Sequence, residues 1–338
     1  MKRTVYSGLT LLLIAALAIP GFGQAKPPQA KTLPEHNAYL AVYNEMDPAK
    51  KAGLGEKFLV DFKDSDFIPN THRLIIQAYA KSLNWAKVIE AADRAAASPV
   101  ADTGLKGFAY GNAMVAAQQT NNFEKIVEYG EKVLSIEPND PNALLTLSSM
   151  IPERLPTDAA AKTAALDKAG TYANKALTVV QGLASQITAQ QKAELEGQIH
   201  STLGFISLNK QDYPKAVSEY EIALKNTPKD AVAHFRMGLA YQYLAAGASK
   251  ATVEAINVLN AAKAEKKPQP EIDELDAKRQ GIQDDFQQKR DKAIDELATA
   301  VALGGVVAQP AKAALESLYK SKNNDSLEGL DQLIASKK

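Results

Sequence analysis

The sequence predicts an all-α protein, an α-solenoid of helix–turn–helix repeats closed by helical caps at both ends. Three observations predict it. The stretch DYPKAVSEYEIALKNTPKD, residues 212–230, restates NFEKIVEYGEKVLSIEPND, residues 122–140, with the aromatic, the Lys and the Pro at the same offsets. Ala and Leu, strong helix formers, are prominent. Within the restated stretch Tyr213, Ala216, Tyr220 and Ala223 fall three, four and three apart, one apolar stripe of a helix. A helix pair that repeats cannot bury its apolar side alone, so its copies must stack.

Composition sets the outer bounds. The chain has 338 residues, with 39 Lys and Arg against 39 Asp and Glu. That balance supplies no electrostatic footprint for nucleic acid, and no nucleic-acid partner is expected. The absence of Cys removes disulfides, thiolate chemistry and Cys-based metal sites. It also suits an oxidising compartment.

The N-terminus points to such a compartment. Lys2 and Arg3 precede an apolar run from Leu9 to Phe22, and small residues follow it. Gly21 and Gly23 fit cleavage before Gln24, and Gly23 and Ala25 fit cleavage before Lys26. Residues 1–25 therefore read as a bacterial secretory signal, cleaved on export, and the expected location is periplasmic or secreted. An uncleaved anchor is the alternative, although the core is short for a spanning helix. No Cys follows the core, which excludes lipoprotein anchoring. After cleavage no integral membrane segment is expected. Residues 26–35, Pro-rich and polar, read as a flexible lead-in, and 36–68 as an N-terminal cap of two short helices.

The array is predicted over 69–305. In the unit near 69–102, His72, Ile75, Tyr79, Trp85, Val88, Ala92 and Ala95 keep helical spacing. In that near 107–140 the pattern is Tyr110, Ala113, Phe123, Ile126, Val133 and Pro138, with Gly130 at a usually large position. A longer variant near 141–185 carries Leu144 and Leu147, a loop through Pro152 and Pro156, then Ala169, Ala173 and Ala176. The unit near 197–230 is the clearest. Asp212 N-caps its second helix, Pro214 lies in the first turn, and Pro228 ends it. Near 231–264, His234, Met237, Gly238 and Tyr241 open the next unit. The insertion LAAGASK then delays a second helix marked by Ala255, Leu259 and Ala262. A unit near 271–305 holds Ala293, Leu297 and Ala300, and 306–338 reads as a C-terminal cap. Both caps are expected to turn a polar face outward. The charge-dense run Glu271–Glu296 reads as a solvated helix.

These residues resemble the tetratricopeptide repeat. The eight positions that define that family fall here on His200, Leu203, Gly204, Ser207, Ala216, Tyr220, Ala223 and Pro228, with His200 and Ser207 replacing the usual large aromatics. The resemblance implies a right-handed superhelix whose first helices line a concave groove. It places Arg73 and Gln77 in that groove, with Asn70, Ala80, Lys81, Phe108 and Val115. Further along it places Phe205, Leu208, Phe235, Leu239 and Tyr243 there, with Asn209 and Gln242. The N-terminal cap spacing Phe58, Phe62, Ser65, Phe67 looks like that of outer-membrane assembly lipoproteins of the same superfamily, with Lys63 where they carry Pro. Chaperone-binding relatives clamp a carboxylate with Lys, Asn and Arg. Arg73, Gln77 and Asn112 imitate part of that set, but Asn142 and Thr146 stand where basic residues are required.

No catalytic constellation is present: no Gly-rich phosphate loop, HExxH, GxSxG or EF-hand. His72, His200 and His234 share one repeat position, which raises a metal ladder as an idea. A large, part-buried side chain with a polar tip explains them better. Asp284–Asp285 and Glu128–Glu131 read as solvated faces. The expectation is a non-catalytic periplasmic scaffold, with no cofactor and no metal, that binds a peptide or apolar segment of a protein partner. The alternative is an auxiliary subunit or cell-wall-associated factor of an envelope enzyme complex.

Overall fold

The computed structural model describes residues 27–183 and 185–338. The predicted signal, residues 1–25, lies outside them. Every regular element among the described residues is helical, and they divide into two compact units between Arg154 and Leu155.

The N-terminal unit runs α1 (Leu33–Asn44), α2 (Pro48–Asp61), α3 (Ile68–Lys81), α4 (Trp85–Ala97), α5 (Thr103–Gln119), α6 (Phe123–Ile136) and α7 (Pro141–Met150), each against the next. The C-terminal unit holds α8 (Ala159–Gly182), α9 (Ala189–Asn209), α10 (Tyr213–Asn226), α11 (Ala231–Ala264), α12 (Gln269–Leu303), α13 (Ala308–Lys322) and α14 (Leu330–Ala335).

Local chemistry sets these boundaries. Thr32, Asp47, Asn84, Asp102, Asn122, Asp140 and Asp212 each accept from an amide in the first turn of the helix they precede. The three tight hairpins share one turn. Leu83, Asn121 and Gln211 sit at φ 56, 53 and 63, and the next residue is the Asn or Asp cap. The amides of Asn84, Asn122 and Asp212 then reach back to the carbonyls of Tyr79, Ala117 and Ser207, all at 2.9 Å. This closes the preceding helix as a left-handed cap does, without glycine.

Packing explains the sequence stripes. Ala216, Tyr220 and Ala223 are fully buried, and Leu203, Gly204 and Ser207 face them across the α9–α10 seam. Gly204 lies so close to Tyr220 that an added Cβ would meet the ring at 2.8 Å. Gly238 on α11 is equally close to Leu297 on α12, at 2.7 Å.

Four expectations are corrected. The flexible lead-in expected over 26–35 ends earlier than 35, because Thr32 caps α1 and the helix begins at Leu33. The 141–185 repeat divides between the units, α7 in one and α8 in the other. The unit near 231–264 is not a hairpin. α11 runs unbroken through LAAGASK, because the segment is Ala-rich and one Gly in a helix costs only about 1 kcal/mol relative to Ala. Its partner is α12, likewise continuous through the unit near 271–305, so the two form one hairpin of 34- and 35-residue helices. Finally, the outer face of the N-terminal cap is mixed rather than wholly polar. Leu33, Leu40, Tyr43 and Met46 are exposed, whereas the one carboxylate of α1, Glu35, is buried and accepts the Lys31 amide at 2.6 Å.

Candidate interaction surface

In the C-terminal unit, the first helices α9 and α11 carry the aromatic positions picked out in the sequence. Phe205 on α9 is half-buried, and the Arg236 guanidinium of α11 lies 3.6 Å from its ring centroid. Tyr243, 52% exposed, stacks on Tyr213 at 4.7 Å with an interplanar angle of 14°. Each contact joins consecutive hairpins, so the repeat stacking itself aligns the rings. Leu208 and Leu239 are half-buried, and Leu208 packs against the core around Ala216, Tyr220 and Met237. Phe235 is drawn away from the others. It packs against the cluster that Ile294, Leu297, Ala311 and Leu315 form on α12 and α13, which leaves it half-buried.

In the N-terminal unit Arg73 is half-buried on α3, with its guanidinium 5.5 Å from the Phe108 ring centroid on α5. Gln77, one turn further along α3, is exposed. Asn112 donates to the Phe108 carbonyl of its own helix rather than offering its amide outward. The buried hydroxyl of Thr146 is engaged by the Gln118 amide at 3.1 Å. The partial carboxylate clamp therefore has one of its three members, Asn112, tied up internally, and Thr146, which stands where a basic residue is required, is likewise engaged.

Sequence reasoning missed Arg236 and Tyr213. Arg236 stands beside the more conspicuous Phe235, and Tyr213 reads as part of the helix stripe. The signal that finds both is a pairing between neighbouring repeats, which no single repeat displays.

The three histidines at one repeat position meet three different environments. His72 is buried, and burial, with the Arg94 charge, lowers its pKa against a weaker pull from Glu56. His200 Nδ1 lies 2.8 Å from Glu219 of α10. His234 Nδ1 lies 2.6 Å from Glu296 of α12. Among the described residues no group of three or more His, Cys, Asp or Glu is placed to hold a metal ion. No described helix is long and apolar enough to cross a membrane.

Six of the residues that define the repeat, Leu203, Gly204, Ser207, Ala216, Tyr220 and Ala223, are buried at the seam between α9 and α10. The paired helices have the helix–turn–helix form that the tetratricopeptide resemblance implies. No protein-family model matches the chain, and no curated protein is significantly similar to it. Among solved structures, a tetratricopeptide repeat protein from Parabacteroides merdae is similar at 10% identity, with a TM-score of 0.42, over 84% of this chain and 96% of that one. The likeness is a distant one.

Proposed function

We propose that the protein is a non-catalytic scaffold of the bacterial periplasm that holds a segment of a protein partner against α9 and α11. The observation that carries this reading is the pair of contacts Phe205–Arg236 and Tyr213–Tyr243. Tyr and Arg are enriched among the residues that dominate binding energy at protein interfaces. Here the rings are held in place before any partner arrives, which lowers the ordering cost of association. The export signal read from residues 1–25 supplies the compartment.

Site-specific photocross-linking in living cells tests it. A benzophenone side chain at Tyr243 or Gln242 should give a discrete protein adduct, and one at Lys225, exposed on α10, should not. Equal adduct patterns from all three sites would remove the α9–α11 surface from consideration.

A further inference from the structure

His234 stands in the first turns of α11, where α10, α11 and α12 meet. Both of its ring nitrogens face acceptors. Nδ1 lies 2.6 Å from a Glu296 carboxylate oxygen on α12, and Nε2 lies 3.2 Å from the Pro228 carbonyl in the turn after α10. A neutral imidazole carries one N–H, so it can donate to only one of these; the imidazolium donates to both. The side chain is 13% exposed, which limits the water that could replace a lost donor.

The charged groups acting on the ring are both acidic. Glu296 comes from α12, and Asp230 from the N-cap of α11. Burial alone lowers the pKa of His234, but its hydrogen bonds to Glu296 and the Pro228 carbonyl, with the fields of Glu296 and Asp230, outweigh burial and raise it. His200, at the equivalent place one hairpin earlier, is engaged through Nδ1 by Glu219 of its own hairpin partner. The link to the preceding turn is what sets His234 apart.

We propose that His234 is a proton-operated clamp that, when doubly protonated, ties the long α11–α12 hairpin both to itself and to the turn leaving α10. Release of one proton leaves a lone pair facing an oxygen, and one of the two links is lost. The neighbouring residue is Phe235, packed on α12 and α13, and Arg236 follows it onto Phe205. Loosening the clamp therefore loosens the start of the helix that carries both. This goes beyond the binding role proposed above, and its test needs no partner.

The sign follows from the direction of the shift. A raised folded pKa gives stabilisation that is complete below the unfolded imidazole value and is lost as pH rises through the folded one. In the full mature chain, the His234 ring should titrate above the ordinary value of about 6.5 by NMR. Intrinsic-rate-corrected hydrogen exchange over residues 228–236 should lose protection severalfold as pH rises through that midpoint. His234→Gln, whose amide is neutral and carries no titrating proton, should flatten this dependence. Should that variant unfold, Glu296→Gln keeps the fold readable and should lower the His234 midpoint. A midpoint at or below the ordinary value, a pH profile unchanged in His234→Gln, or a midpoint unmoved by Glu296→Gln would each overturn the clamp.

Discussion

Gly204→Ala is the sharpest probe of the α9–α10 seam. The new Cβ would stand 2.8 Å from Tyr220 Cε1 and 2.9 Å from Cδ1 and Cζ, inside any real carbon–carbon contact. Tyr220 is wholly buried, so its ring has no solvent to retreat into, and either the ring or the helix must shift. Overpacking of this kind costs about 1–3 kcal/mol. Replacing a mid-helix Gly by Ala returns about 1 kcal/mol through backbone entropy. The net expectation is a loss of roughly 0–2 kcal/mol. Gly247 supplies the reference, because it is exposed in mid-α11 with nothing within 4 Å of its added Cβ. Gly247→Ala should stabilise by about 1 kcal/mol. The difference between the two variants isolates the steric term at about 1–3 kcal/mol. Thermal or urea unfolding measures it; equal stabilisation by both substitutions would show that the two helices do not approach as described.

Four further outcomes are expected. Leu83→Gly should stabilise by roughly 0.5–1 kcal/mol in urea unfolding, since the left-handed conformation strains a Leu and this one, at φ 56, is 68% exposed. His72, its pKa lowered mainly by burial, contributes stability present above the ordinary imidazole value and lost as pH falls through the folded one; a Tm-against-pH series on His72→Gln should show a flatter acid limb. Tyr243→Ala should weaken partner capture by about 1–3 kcal/mol and leave the Tm nearly unchanged. Phe235→Ala should instead destabilise by about 1–3 kcal/mol, because it empties a site against Leu297 and Leu315; calorimetry on the pair separates surface from core.

The hairpins were legible in the sequence for a steric reason. Where two helices cross, only a small residue fits opposite a large one, so Gly204 and Ala216 beside Tyr220 announce the crossing. The left-handed turns were not legible, because Leu83 and Gln211 are poor residues for that conformation and only the tertiary closure of the hairpin holds them there. LAAGASK misled for the opposite reason. A lone Gly among alanines is a weak stop signal, and it yields to a helix as long as α12 packed alongside. The fate of Phe235 depends on where α12 and α13 come to rest, which local spacing does not encode.

The continuity of α11 through Gly247 bears on how the protein moves. A helix of 34 residues spans about 51 Å, against about 21 Å for the 14 of α10. Toward the turn the seam narrows to Ala248, Leu259 and Ala262, while Val253 and Val258 stand more than half exposed. Each further turn of this pair adds little buried area, and once the turn at Glu265–Pro268 has formed it adds no new loop to close. Such a structure opens like a zipper rather than all at once. Amide exchange should grow steadily faster from His234 toward Lys266, with a free energy of opening that falls turn by turn instead of one value shared by the whole helix.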